Sequence, residues 1–115
     1  MSVRVFVGGQ RVEAVPVDDR GIAYGDGLFE TMRVHAGEVP WWEAHWARLQ
    51  RGAQRLRMGV PDQVQVRREA AAFFADHAEG VLKLIVSRGG GGRGYAPTNA
   101  GPNWMLSRHP VPIHP

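Results

Sequence analysis

The chain has no cysteine, which excludes a disulfide framework and any mechanism that uses a thiolate as nucleophile or metal ligand. It has a single lysine, Lys83, beside 13 arginines, so its positive charge is almost wholly guanidinium. No apolar run approaches the ~20 residues that a membrane-spanning helix needs, and no membrane partner is expected. The start Met-Ser-Val-Arg-Val lacks a charged-then-apolar leader, which makes a cytoplasmic location the expectation. His35, His45, His77, His109 and His114 show no His-Glu-x-x-His or comparable spacing, so no metal is expected. A Gly-x-Ser-x-Gly nucleophile elbow is also missing.

What is present fits one globular domain. The chain has 115 residues, 43% of them hydrophobic and 22% charged, with a formal net charge of +3. That length suffices for one packed core and not for two. Arginine suits two-point capture of phosphate or carboxylate, although most such side chains are simply solvated. An Arg-Gly-Gly stretch beside a tyrosine could suggest RNA. Nucleic-acid footprints gather cations on one face, however, and here Glu38, Glu43, Asp62, Glu69, Asp76 and Glu79 interleave with them, so no nucleic-acid partner is expected.

Val3, Val5 and Val7 alternate with Arg4 and Phe6, Gly8-Gly9 offers a turn, and Val12, Ala14 and Val17 carry a second short strand. Leu28 to His35 alternates again, and Ala36-Gly37 is expected to turn the chain so that Glu38 to Trp42 returns as the partner strand. The period then changes. Trp42, Trp46, Leu49, Ala53 and Leu56 form a helical stripe that Gly59 and Pro61 should end. Asp62 is placed to cap a second helix with Gln65 three residues on, its buried face formed by Val64, Ala71, Phe74 and Ala78, with Gly80 as the stop. Val81 to Ser87 reads as a central strand and Asn103 to Arg108 as the last one. The pattern predicts an α+β domain over residues 1–109, an antiparallel sheet built from hairpins with two helices packed on one face. Three prolines in residues 110–115 predict a linker, and a chain stopping on a linker is expected to have lost a second domain.

Three features invite chemistry. Asp19-Arg20-Gly21-Ile22-Ala23-Tyr24-Gly25-Asp26-Gly27-Leu28-Phe29-Glu30-Thr31 reads as a shaped loop feeding a strand, the kind of place where sites are built. Arg48 lies on the first helix but off its apolar stripe, three residues after His45. A solvated basic face accounts for it, and so does a phosphate anchor on a rigid helix. Gly89-Gly90-Gly91-Gly92-Arg93-Gly94 formally fits a dinucleotide fingerprint, but Tyr95-Ala96-Pro97-Thr98-Asn99 cannot open the helix that fingerprint requires. What remains is an arginine-bearing loop, able to bind an anion or to be an ordinary hairpin tip. Lys83 shares a strand face with Val81 and Ile85, which suits a surface lysine better than a covalent one.

In order along the chain, the Asp-Arg-Gly and Tyr-Gly-Asp-Gly-Leu-Phe-Glu-Thr run, His45-Trp46-Ala47-Arg48-Leu49, and Leu82-Lys83-Leu84-Ile85-Val86-Ser87-Arg88-Gly89 leading into Gly92-Arg93-Gly94-Tyr95 resemble the N-terminal half of the fold-type IV pyridoxal-phosphate enzymes. That family holds branched-chain aminotransferases, D-amino-acid aminotransferases and 4-amino-4-deoxychorismate lyases, and the last segment most resembles the lyases, which make 4-aminobenzoate and pyruvate for folate synthesis. The resemblance implies a pyridoxal 5'-phosphate cofactor, with Arg48 on its phosphate and Phe29 lining the pocket. It further implies substrate contacts from Tyr24, Arg88, Arg93 and Tyr95, and a homodimer. The covalent lysine and the acid paired with the pyridine nitrogen belong, in that family, to a second domain. No catalytic residue is therefore expected in these 115 residues, and the piece alone is expected to be inert. The competing expectations are an aminotransferase of the same family and a non-catalytic binding or dimerisation module.

Overall fold

A computed structural model describes residues 2–7, 9–13, 27–88 and 102–112. Within them, alternating β-branched residues and a glycine turn give the first hairpin, β1 (Ser2–Val7) and β2 (Gln10–Val12), paired antiparallel with Val5 opposite Val12. Then follow β3 (Gly27–Val34), α1 (Trp42–Leu56), α2 (Gln63–Phe73), β4 (Gly80–Ser87) and β5 (Asn103–His109). The five described strands form one sheet in the order β2-β1-β5-β4-β3, each neighbouring pair antiparallel. The fold is α+β, as the pattern predicted. Ala14 and Val17 lie outside the described residues.

Two-residue alternation divides the sheet into two faces. Phe6, Met32, Val34, Leu82, Leu84, Val86, Trp104 and Leu106 point to one side and are buried with Trp42, Trp46 and Leu49 of α1 and Val66, Ala70 and Phe73 of α2. Both helices thus cover the same face. Trp104 stacks on Phe6, its cross-strand partner, with ring centroids 3.9 Å apart, joining β5 to β1 on the buried face.

Four details differ from the sequence pattern. Residues Glu38 to Trp42 do not return as a strand: Glu38 makes one bridge to His35, and the strand beside β3 is β4. Pro40 has no N–H to continue a ladder, and Trp41 takes a left-handed conformation with φ 61° before α1 begins. At the other end α1 stops at Leu56, before Gly59. Arg57 occupies the left-handed position (φ 54°), its N–H bonds Gln54 O and the Met58 N–H bonds Ala53 O at 3.0 Å, the pairing of a Schellman stop in which glycine is usual. Leu56 itself is 40% exposed and drops out of the stripe. On α2, Asp62 does accept from the Val64 N–H, while Gln65 donates to Gly9 O at 2.8 Å instead of closing a capping box. The buried face is Val66, Ala70, Phe73 and Phe74, with Val64 69% exposed and Ala71 and Ala78 exposed. Finally, Gly80 opens β4 instead of stopping α2. A Cβ there would sit 2.8 Å from the Phe74 ring and 3.1 Å from His109 O, so only glycine lets that ring lie against the strand.

Candidate cofactor-binding site

On β3 the residues facing the helices are Leu28, Glu30, Met32 and Val34, every second position. One of the four is an acid. Glu30 is 6% exposed, and a carboxylate so placed needs charged or hydrogen-bonding partners to offset its lost hydration. Helix α1 supplies them from positions three residues apart, which fall on one helix face. Arg48 Nε donates to Glu30 Oε2 at 2.9 Å and to Oε1 at 3.2 Å, and Arg48 Nη2 donates to Oε1 at 2.8 Å. His45 Nδ1 lies 2.8 Å from the same Oε1. Burial pushes the Glu30 carboxyl up, but the hydrogen bonds from Arg48 and His45, with their charges, outweigh it and hold the group below its ordinary value. The same contacts raise Arg48.

Sequence reasoning singled out Arg48 and missed its partner Glu30 and the contact of Glu30 with His45. A signal for them existed: the alternation that buries Leu28, Met32 and Val34 puts Glu30 in the same row, and an acid in a buried row calls for a cation on whatever packs above it.

Arg48 is 62% exposed on its other side, where a cleft of about 390 Å³ opens at the sheet edge. Among the described residues the cleft is lined by Leu28, Leu49 and Gly52, by three arginines, Arg48, Arg51 and Arg55, and by one acid, Glu30. Phe29 also lines the cleft, on the opposite face of β3 from Glu30; it is 63% exposed, and Lys83 Nζ sits 4.8 Å from its ring centroid, a cation–π contact. The structure therefore brings Arg48 and Phe29 to one cleft. Arg88 donates through Nη1 to Arg57 O at 2.9 Å and through Nη2 to Leu56 O at 2.6 Å, so it caps the C-terminal end of α1. Tyr24, Arg93 and Tyr95 lie outside the described residues. Among the described residues no group of three or more His, Cys, Asp or Glu could hold a metal, and no helix is long and apolar enough to cross a membrane.

The sheet with two helices on one face is a fold shared with known proteins. The chain belongs to the class IV aminotransferases, whose family profile matches residues 27–115. Within that family it is similar to the 4-amino-4-deoxychorismate lyase of Pseudomonas aeruginosa, whose crystal structure superposes with a TM-score of 0.80 at 46% identity over 96% of this chain and 41% of that one. The aminodeoxychorismate lyase of Vibrio harveyi is 36% identical over 111 residues, 95% of this chain and 41% of that protein. The Mycobacterium tuberculosis bifunctional aminodeoxychorismate lyase / D-amino acid transaminase is 41% identical over 88 residues, 70% of this chain and 29% of that protein. The chain thus spans less than half the length of these relatives.

Proposed function

We propose that this chain is the small domain of a pyridoxal-phosphate-dependent aminodeoxychorismate lyase, converting 4-amino-4-deoxychorismate to 4-aminobenzoate and pyruvate for folate synthesis. The observation that carries the proposal is Arg48, held by a buried carboxylate and facing a cationic cleft, in a chain whose similar relatives include lyases of that name. The residues fit the cofactor. An anchored guanidinium suits a phosphate monoester, the additional charges of Arg51 and Arg55 favour a dianion, and Phe29 offers an aromatic edge beside them. When bound, the cofactor supplies an electron sink for the carbanion left by proton abstraction. This chain's part is to bind and orient: Arg48 takes the phosphate, Phe29 borders the ring, and Tyr24, Arg93 and Tyr95 reach the substrate. Arg88, by its place in the motif, is assigned to the substrate as well.

The proton-transferring lysine lies in a second domain, beyond a linker over residues 110–115, so the 115 residues alone are inert. The complete enzyme is a cytoplasmic homodimer. A transaminase is the second reading, favoured by the bifunctional relative from M. tuberculosis. The test supplies 4-amino-4-deoxychorismate to the longer polypeptide and to the chain alone. Formation of 4-aminobenzoate with pyruvate by the longer polypeptide alone supports the lyase; consumption of 2-oxoglutarate with a D- or branched-chain amino acid, and no 4-aminobenzoate, supports the transaminase. Turnover by the chain alone refutes the two-domain reading.

A further inference from the structure

A guanidinium has two forks. One is the side edge made by Nε and one Nη nitrogen, the other the end made by both Nη nitrogens, and together they carry five N–H groups. Glu30 takes the side edge of Arg48: Nε and Nη2 are the donors in all three hydrogen bonds, and Nη1 is in none of them. Among the described residues the end fork has no hydrogen-bond partner through Nη1, on an arginine that lines the cleft. Glu30 cannot easily turn away, because it is 6% exposed on a strand under α1 and His45 Nδ1 bonds it as well at 2.8 Å. We infer that Glu30 is a positioning residue for phosphate recognition: by fixing the side edge of Arg48 it presents the end fork to a phosphate monoester in the cleft, while Arg51 and Arg55 restore the positive charge that Glu30 neutralises.

This rests on the proposed assignment of Arg48 to the cofactor's phosphate and adds to it a division of labour between the two forks. Ordering the arginine before the ligand arrives lowers the cost of binding, and it does so for a ligand that carries the phosphate and for no other.

Two measurements test it. In the first, pyridoxal 5'-phosphate and pyridoxal, which lacks the phosphate, are titrated into the chain, followed by tryptophan fluorescence, for the unmodified protein, Glu30→Gln and Arg48→Ala. The expected result is a preference for the phosphorylated ligand that Arg48→Ala abolishes and that Glu30→Gln reduces roughly tenfold, the scale on which loss of an orienting partner acts at metal sites, with pyridoxal affinity unchanged. If Arg48→Ala removes the preference and a folded Glu30→Gln keeps it, the positioning role is wrong and the phosphate assignment stands. If the unmodified chain shows no preference, or Arg48→Ala leaves it intact, the phosphate assignment fails and this inference with it. The second measurement needs no variant: in nitrogen-15 NMR spectra of the unmodified chain, the Arg48 Nε–H signal should stay protected and unshifted while the Nη signals move as pyridoxal 5'-phosphate is added. Release of the Nε–H from Glu30 on ligand addition overturns the inference.

Discussion

Of the two partners in the Arg48–Glu30 contact, substitution of the more exposed one should harm the fold more. Arg48→Ala leaves Glu30 buried with only His45 beside it, and a buried acceptor that loses its charged donors costs about 1–3 kcal/mol. With a urea m-value of roughly 2 kcal/mol/M for a domain of this size, the carboxylate left behind lowers the unfolding midpoint by about 1 M. Glu30→Met does the reverse: it removes the buried charge, puts an apolar side chain opposite Leu84, and leaves Arg48, already 62% exposed, to water. Replacing buried charge by apolar volume is often neutral when the abandoned partner is hydrated, so the expected change is under about 1 kcal/mol, or roughly 0.5 M. The pH dependence separates this from simple loss of packing. Burial alone raises the Glu30 carboxyl and the Arg48 contacts lower it, so in Arg48→Ala the folded-state value rises. Its deficit relative to the unmodified chain is then largest at neutral pH and shrinks as Glu30 takes up its proton toward and below the ordinary value of 4.5. Urea titrations at several pH values measure both effects. A Glu30→Met protein less stable than Arg48→Ala at neutral pH, or a deficit independent of pH, would refute the reasoning.

Arg57→Gly should stabilise the chain by about 1 kcal/mol, because glycine takes the left-handed position without the steric cost of a Cβ and the carbonyl that Arg88 bonds is retained; thermal unfolding should shift upward by a few degrees. Gly80→Ala should cost about 1–3 kcal/mol, as overpacking does, since its Cβ would meet the buried Phe74 ring at 2.8 Å; an unchanged denaturation midpoint would contradict the packing. Glu79 is drawn from 4.5 to about 2, first by the Ala36 N–H and then by His35 and Arg33. Its contribution is fully present above the unfolded value of 4.5 and fades as pH falls toward 2. Glu79→Gln should flatten the acid side of the stability profile across that window, and a profile identical to that of the unmodified chain would count against it.

Much of the fold could be read from the residues because period and punctuation agreed. The Val3-Val5-Val7 alternation with Gly8-Gly9 marked the first hairpin, and Trp42, Trp46, Leu49 and Ala53 marked the buried face of α1. Where the signal lost contrast it misled. Apolar residues fall on every side of α2, so Val64 and Ala71 could be mistaken for the inner face that Val66, Ala70 and Phe73 occupy. The ends of α1 were hidden because an arginine and a tryptophan stand in left-handed positions, where the rules look for glycine or a polar cap. At the site, Arg48 stood out as a cation off the apolar stripe. Glu30 did not, because its partners lie on the next helix and only its place in the inward-facing row of β3 hinted at them. The Arg88 hydrogen bonds to Leu56 O and Arg57 O were not legible either, because they join the ends of α1 and β4, which only folding brings together.

The Arg88 contact ties two parts of the molecule whose chemistry is otherwise separate. Its backbone directly follows the final residue of β4, while its guanidinium grips the terminus of the helix that bears Arg48. The end of β4 is therefore moored to the helix that carries Arg48. A shift of that helix along the sheet would pull the last residues of β4 with it.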